Sequence, residues 1–384
     1  MSLRVVHVVR QYHPSRGGLE DVVFNIARFQ RDLHDHESSV ITLNRVFRTS
    51  ALLPAHETIE GIPVTRLPYS GSERYPFCPS VIKHLQAADV VHVHGIDFFY
   101  DFLSLTRWWH RKPLVACTHG GFFHTEFSQR LKKIFFHSVT RFTSLGYKRI
   151  LATSANDGKI FSQIVSSHRL QIIENGVDID KYANAAAKTR QPTLLYFGRW
   201  SSNKGLSESL HLLKALVAID PRWNLIIAGR EYDYNAEQLQ QMASELGVEH
   251  ALSIVPNPSD SELRSLMGRA SYFVCLSKHE GFGLAAVEAM SAGLIPLLSK
   301  IPPYIKLAQE TAVPLLVDSD APTGAAAVMT LHSSSDEQYQ QTRELAMTSV
   351  QLYSWRNVVA AYAAEYERVA NIFPASALSK EGKM

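Results

Sequence analysis

The chain has 384 residues, 46% apolar and 20% charged, with a net charge of +3. That balance describes a soluble globular protein with ample core and excludes disorder and a coiled coil, and the length predicts two or three domains. Residues 1–180 carry 21 Lys and Arg against 16 Asp and Glu, and the rest 18 against 20. The first half is therefore mildly basic, which suits an anionic membrane surface or a lipid diphosphate and is too weak a bias for nucleic acid.

In chain order, short β-branched runs alternate with helical patterns. Strands are expected at 4–9, 40–43, 89–94, 114–118, 149–153 and 170–173, then at 193–197, 224–228, 252–255, 272–276 and 295–298. The runs are nearly all apolar, as parallel strands buried on both faces should be. The alternation implies βαβ units and an α/β protein with two doubly wound sheets. Asn175-Gly176 and the small-residue stretch after it read as a seam. The expected division is a first domain at 1–175, a linker at 176–190, a second domain at 191–352 and a crossover helix with tail at 353–384. Residues 1–10 are too short and polar for a signal peptide, and no apolar run approaches a membrane span. Cys78, Cys117 and Cys275 are far apart and odd in number, so reduced thiols in the cytosol are expected.

Ligands of open α/β sheets bind beyond the carboxyl ends of the strands. Those ends carry Gly17-Gly18-Leu19-Glu20, His94-Gly95, His119-Gly120-Gly121 and Ser154 in the first half. In the second they carry Gly198-Arg199, Lys204-Gly205, Gly229-Arg230-Glu231 and Glu280-Gly281-Phe282-Gly283-Leu284. Two such sheets facing each other would make a cleft between the domains. Gly17 and Gly18 would let a phosphate approach bare N–H groups at a helix start, although for this motif alone an ordinary βα turn is the favoured account. Arg199 and Lys204 could clamp a diphosphate, Arg as a fork and Lys as a point charge, or form a solvated surface pair. Glu280 and Glu288 lie eight positions apart, about 12 Å along a helix. That is beyond the about 5–9.5 Å of a paired acid and base. It suits a grip on the two ends of a nucleotide sugar, with the amides of 281–284 meeting its phosphates. Gly281 to Ala286 also fits a G-x-G-x-x-A dinucleotide fingerprint, but Ser299-Lys300 stand where the following acid belongs.

His119 is either a cleft residue or a structural histidine. His92 and His94 alternate on one strand and share a face, a possible zinc pair without a third ligand at the usual spacing. Between Glu126 and Asp157 there are six basic residues and no acid. Arg130, Lys132, Lys133 and Arg141, with Phe135 and Phe142 at helical spacing, read as a membrane-surface element or as a core helix with a basic face. Trp108-Trp109-His110-Arg111-Lys112 tilts this toward the interface.

With these motifs in this order, the chain resembles the retaining glycosyltransferases of the GT-B fold, family 4. The likeness is carried by Gly17-Gly18-x-Glu20, Asp89-Val-Val-His-Val-His94, Thr118-His119-Gly120, Asn175-Gly-Val-Asp178, Gly198-Arg199, Lys204-Gly205, the E-x7-E segment Glu280 to Glu288, and Tyr353-Ser-Trp355. Val8 to Pro14, His94 to Asp101, Thr118 to His124 and Ala228 to Asp233 are similar to a narrower group, the α-mannosyltransferases of xanthan and acetan assembly.

The resemblance implies two Rossmann-like domains facing across a cleft, with the last helix crossing back to the first. It implies α-1,3 transfer of mannose from GDP-mannose to a lipid-linked cellobiose, without a cofactor or metal, on the inner membrane face. A different nucleotide sugar within family 4 is the alternative. A nicotinamide-dependent oxidoreductase or a non-catalytic membrane-surface binder are the rivals from other classes. By the same resemblance Glu280 would hold the hydroxyls of the transferred hexose and Glu288 the ribose. Arg199 and Lys204 would take the diphosphate with the amides around Phe282, Gly283 and Leu284. Gly17 and Gly18 would approach the donor phosphate, His119 would sit over the sugar and Ser154 would line the cleft. The segment Ser299-Lys-Ile-Pro-Pro-Tyr304 departs from the family's usual Gly-Gly turn with Pro-Glu.

Overall fold

The computed structural model describes residues 2–371 apart from 16, 48, 50, 74, 120–132, 314 and 319. It divides into unit 1, residues 1–176 with 355–384, and unit 2, residues 177–354.

Unit 1 holds β1 (Arg4–Val9), β2 (Glu37–Leu43), β3 (His56–Ile59), β4 (Ile62–Leu67), β5 (Ser70–Ser72), β6 (Tyr75–Phe77), β7 (Val90–His94), β8 (Leu114–Cys117), β9 (Arg149–Ala152) and β10 (Leu170–Ile172). Eight of these form one sheet in the order β10-β9-β8-β7-β1-β2-β4-β3, and β5 and β6 make a separate ribbon. The expected strands are present, and the central ones are buried from both sides: Val5 to Val9 and all of Val90 to His94 are buried, whereas Gln171 and Ile172 of the edge strand β10 are exposed. β3 and β4 were not expected. They form an antiparallel hairpin turning at Glu60-Gly61, both at positive φ, and β4 alternates buried and exposed residues at its start. A half-buried strand beside the sheet edge lacks the continuous apolar run of a central strand.

Unit 2 is an all-parallel sheet of β11 (Thr193–Trp200), β12 (Asn224–Glu231), β13 (Leu252–Pro256), β14 (Tyr272–Cys275), β15 (Ile295–Ser299) and β16 (Leu315–Val317), in the order β13-β12-β11-β14-β15-β16. In each sheet the first strand of the unit lies between neighbours whose connections run in opposite directions. β1 separates β2 from β7, and β11 separates β12 from β14. Such switch points leave a crevice at the carboxyl ends.

Four helices position the groups discussed below: α1 (Gly18–His34), α2 (Ala155–Phe161), α3 (Leu284–Ala292) and α4 (Trp355–Asn371). The stretch read as a linker is folded. Ile179, Tyr182, Ala186 and Ala187 are buried in unit 2, and the amides of Ala186 and Ala187 donate to the carbonyls of Ala292 and Ala270. Ala186 and Ala187 are therefore packed residues of unit 2 and not a loose tether. The chain leaves unit 1 at Gly176, whose Cα lies against the Trp355 ring; a Cβ there would come within 2.4 Å of it.

The 17-residue α4 crosses back and closes unit 1. Its Val359, Tyr362, Tyr366 and Val369 are fully buried, and Gln30 of α1 donates to the Val359 carbonyl at 3.1 Å. Glu365 accepts two hydrogen bonds from Arg149, one of them Nη2 to Oε1 at 3.0 Å, with both side chains under 10% exposed. Arg149, counted above among the basic residues of a surface segment, is thus a buried anchor.

Breaking a buried pair leaves a stranded charge, at a cost of about 3–5 kcal/mol. Glu365→Ala should therefore lower unfolding stability by several kcal/mol in denaturant melts, and Arg149→Met with Glu365→Met together should cost clearly less than the single change.

Candidate functional site

In unit 2 the carboxyl ends of β11 and β14 lie side by side, and the loops after them are tied together. Lys278 N donates to Asn203 O at 2.8 Å, and Asn203 Nδ2 to His279 O at 3.2 Å. Gly205, at φ +70, passes so close that a Cβ would lie 2.1 Å from the Leu276 carbonyl oxygen. This brings Lys204 to Glu280. The ammonium donates to Oε1 at 2.7 Å and Oε2 at 2.9 Å. Ser277 Oγ donates to Oε1 at 2.7 Å, and the Tyr304 hydroxyl lies 3.2 Å from that oxygen and from Cys275 Sγ. Burial, and then the Glu280 charge, push the Cys275 thiol pKa up. The carboxylate is thus held by three side chains from three elements.

Arg199 ends β11. Its Nε donates to Ser201 Oγ at 3.0 Å, and its guanidinium carbon stands 4.5 Å from the Tyr232 ring centroid. Asp233 steadies the same loop by accepting from Ser202 N at 2.9 Å and Ser202 Oγ at 3.0 Å. The expected clamp residues are therefore both present at strand ends, each held by protein groups. An ammonium has three N–H donors and a guanidinium five, so both retain donors for an anion.

Gly283 caps α3 at φ +93, where a Cβ would meet the Tyr304 ring at 2.7 Å. The helix has no side-chain cap, so its first-turn amides are not taken by one. Gly281 is exposed, with open space where a Cβ would be. The Phe282 ring packs edge-on to Tyr353 at 5.4 Å, Leu284 is exposed, and Glu288 is half-buried on α3. Ser277, Tyr304 and Tyr232 were missed. Tyr304 stands in the segment that departs from the family pattern, and its hydroxyl reaches the carboxylate it helps to hold.

In unit 1, Gly17 and Gly18 open α1 beside the switch strand; Gly17 has extended backbone, and a Cβ on Gly18 would meet nothing within 4 Å. Ser154 is the N-cap of α2, its hydroxyl accepting from Asp157 N at 3.1 Å. Thr118 Oγ1 donates to Asp157 Oδ2 at 2.8 Å. The next residue, His119, is held at φ +50, a left-handed conformation uncommon outside glycine. Behind it the register that pairs His7 with His92 gathers a cluster of imidazoles on the α4 side of the sheet. His94 Nδ1 lies 3.0 Å from His119 Nε2, and His94 Nε2 3.0 Å from His7 Nδ1. His92 Nδ1 lies 2.7 Å from the Tyr366 hydroxyl. Among the described residues His7, His92 and His94 bring ligand atoms within 4.8 Å of one another, as do His94, Cys117 and His119. The third imidazole missing from the sequence reading of a His92/His94 pair is His7, from the neighbouring strand.

Arg130 and Lys132 lie outside the described residues. Lys133, Arg141 and Phe142 are exposed and Phe135 is half-buried. Instead of one regular helix, a π-helical turn at Phe136–Thr140 runs into Arg141–Thr143. Ile134, Phe142 and Leu145 are exposed, and so are Trp108 at 77% and Trp109 at 80%. Arg107 lies over the Trp108 ring and donates to Leu145 O at 3.2 Å, joining the two segments. No described helix is long and apolar enough to cross a membrane.

The Glycosyltransferase Family 4 profile matches residues 16–181, and that of Glycosyl transferases group 1 matches residues 178–347. The GDP-mannose:cellobiosyl-diphosphopolyprenol alpha-mannosyltransferase of Xanthomonas oryzae pv. oryzae is 50% identical over 96% of this chain and 98% of its own length. The protein of the same name from Komagataeibacter xylinus is 44% identical over 96% and 94%. A glycosyltransferase structure from Rickettsia africae superimposes with a TM-score of 0.74 over 96% of this chain and 98% of that one. At 16% identity it shares the fold alone.

Burial lowers the pKa of His7 to about 3 and that of His92 and His94 well below the ordinary value. Unfolded, these imidazoles take up protons below about pH 6.5; folded, they stay neutral to far lower pH. Their contribution to stability is whole above about pH 6.5 and is lost progressively as pH falls below it, because the unfolded chain then binds protons that the folded one excludes. Denaturant melts from pH 7.5 to 5 should show this loss, and His92→Asn should flatten the slope.

Proposed function

Since the chain belongs to glycosyltransferase family 4, we propose that it is an α-mannosyltransferase moving mannose from GDP-mannose to a cellobiose carried on polyprenyl diphosphate, in exopolysaccharide assembly. The observation that carries this reading is the 50% identity to a transferase of that name across nearly the whole of both chains. The site of unit 2 is consistent with it. A departing GDP sheds negative charge, and preorganised cations and amides aimed at that charge are the expected main catalytic contribution. Lys204 keeps one N–H for a phosphate oxygen while two hold Glu280, and the loop that carries Glu280 runs directly into the α3 amides. Glu280, fixed by Ser277 and Tyr304, is fit to accept from sugar hydroxyls, and Glu288 one face further along α3 is the candidate for the ribose. We read the transfer as α-1,3, retaining and metal-independent, with the leaving phosphate oxygen receiving the acceptor proton.

The acceptor's lipid places the reaction at a membrane face. What supports a peripheral contact is the exposed group of Trp108, Trp109, Phe142 and Leu145 with Arg107, Lys133 and Arg141 around it. Indole rings favour the headgroup boundary and cations favour anionic lipid.

Radiolabelled GDP-mannose, UDP-glucose and UDP-glucuronate, each given with membranes carrying lipid-linked acceptors, test the donor. Label should enter the lipid fraction from GDP-mannose, and entry from either UDP sugar instead would move the chain to another family 4 activity. Lys204→Ala should lower kcat about 100-fold or more at saturating donor, the loss of one buried charge contact to the leaving group. Wild-type turnover in that variant would remove the role given to Lys204. Trp108→Ser with Trp109→Ser should cut co-sedimentation with vesicles containing anionic phospholipid about tenfold, leaving soluble-donor hydrolysis unchanged.

A further inference from the structure

Three imidazoles run in a line through unit 1. His7 Nδ1 faces His94 Nε2 at 3.0 Å, and His94 Nδ1 faces His119 Nε2 at 3.0 Å. His7 and His94 are at most 1% exposed. Each of the two contacts joins ring nitrogens, so one nitrogen of each pair must carry the proton and the other must accept it. A neutral imidazole has one N–H. The protons in such a line must therefore all point the same way, and the end of the line decides which way.

That end is His7 Nε2. It is buried and has no partner among the described residues. A buried N–H without an acceptor is rarer and costlier than a bare acceptor nitrogen. His7 therefore carries its proton on Nδ1 and donates to His94 Nε2. His94 then carries its proton on Nδ1 and donates to His119 Nε2. His119, accepting at Nε2, carries its proton on Nδ1. Burial depresses the pKa of all three imidazoles, His119 to about 4, so the line stays uncharged at neutral pH. The described residues give His119 Nδ1 no hydrogen bond, and His119 is half-exposed at the carboxyl end of β8.

We propose that His7 and His94 are positioning residues that lock His119 as the neutral Nδ1–H tautomer, so that it presents a fixed N–H donor to a substrate oxygen. The class of group it suits is a sugar hydroxyl or a phosphate oxygen, both of which accept. The uncharged state matters because an imidazolium would bind any diphosphate indiscriminately, whereas a directed neutral donor recognises geometry. The left-handed backbone at His119 serves the same end. It is an uncommon backbone state outside glycine, and the residue before it, Thr118, is tied down by its Oγ1 on Asp157.

This rests on the mannosyltransferase reading for the substrate, but its main readout needs no substrate. The full chain, labelled with 15N-histidine, is examined by long-range 1H–15N correlation at neutral pH, and His119 is assigned by the signals lost in His119→Asn. The expected result is a protonated Nδ1 and a bare Nε2 on His119. In His7→Phe the line loses its first donor, and His119 should populate the Nε2–H form. Turnover with GDP-mannose should fall about tenfold, one directed hydrogen bond's worth, with KM little changed. His7→Asn, whose amide can donate from nearly the place of Nδ1, should restore both the tautomer and most of the rate. A protonated Nε2 on His119 in the unmodified chain overturns the proposal, as does a folded His7→Phe chain with unaltered tautomer and rate. If the donor turns out to be another nucleotide sugar, the tautomer reading stands by itself and only the mannosyl assignment fails.

Discussion

The bidentate contact between Lys204 and Glu280 organises unit 2. It exists because the first strand of the unit has β14 as a neighbour, so two loops far apart in sequence emerge together. The loops then have to approach to backbone contact, which Gly205 permits and any side chain would prevent. A cation and a carboxylate brought together this way largely cancel, so the site does not trap anions by net charge alone. It keeps a directed N–H and an oriented acceptor pair instead. Ser277, Tyr304 and the loop braced by Asp233 are the walls that keep these two heads from rotating away.

Unit 1 uses the same topology with different chemistry. Its switch strand carries His7, and the neighbouring strand carries His92 and His94, so the sheet face that most α/β units fill with aliphatic side chains here contains imidazoles. Neutral imidazoles are tolerated in a core when their nitrogens find partners. His94 finds both of its partners in His7 and His119, and His92 finds one in the Tyr366 hydroxyl of α4, while His7 Nε2 and His92 Nε2 have none among the described residues. The C-terminal helix is therefore a chemical partner of this face as well as its cover.

Central strands were legible because burial on both sides forces a continuous apolar run. The β3–β4 hairpin was not, since Pro63 and the alternating pattern look like loop until the Glu60-Gly61 turn is recognised. The strand-end rule pointed to Arg199, Lys204, Glu280 and His119, and the structure sets all four at or just beyond the carboxyl ends of central strands. It could not find Tyr304 or His7. Tyr304 acts from a helix 24 residues beyond the carboxylate it touches, and His7 lies mid-strand, where a polar residue is explained only by what the adjacent strand places beside it. The small-residue stretch after Asn175 shows the opposite failure: composition alone does not separate a loose tether from a segment pressed flat on a core.

The return of α4 to unit 1 also fixes an order of events on the ribosome. Between Gly176 and Trp355 the nascent chain must emit all of unit 2, residues 177–354. At about 5–20 residues per second this takes roughly 10–35 s. Throughout that interval the imidazole face and Arg149 wait without their tyrosines and their carboxylate. The later-born unit is thus the first that can finish folding, and a truncation of the last two dozen residues would strike the earliest-made half of the molecule.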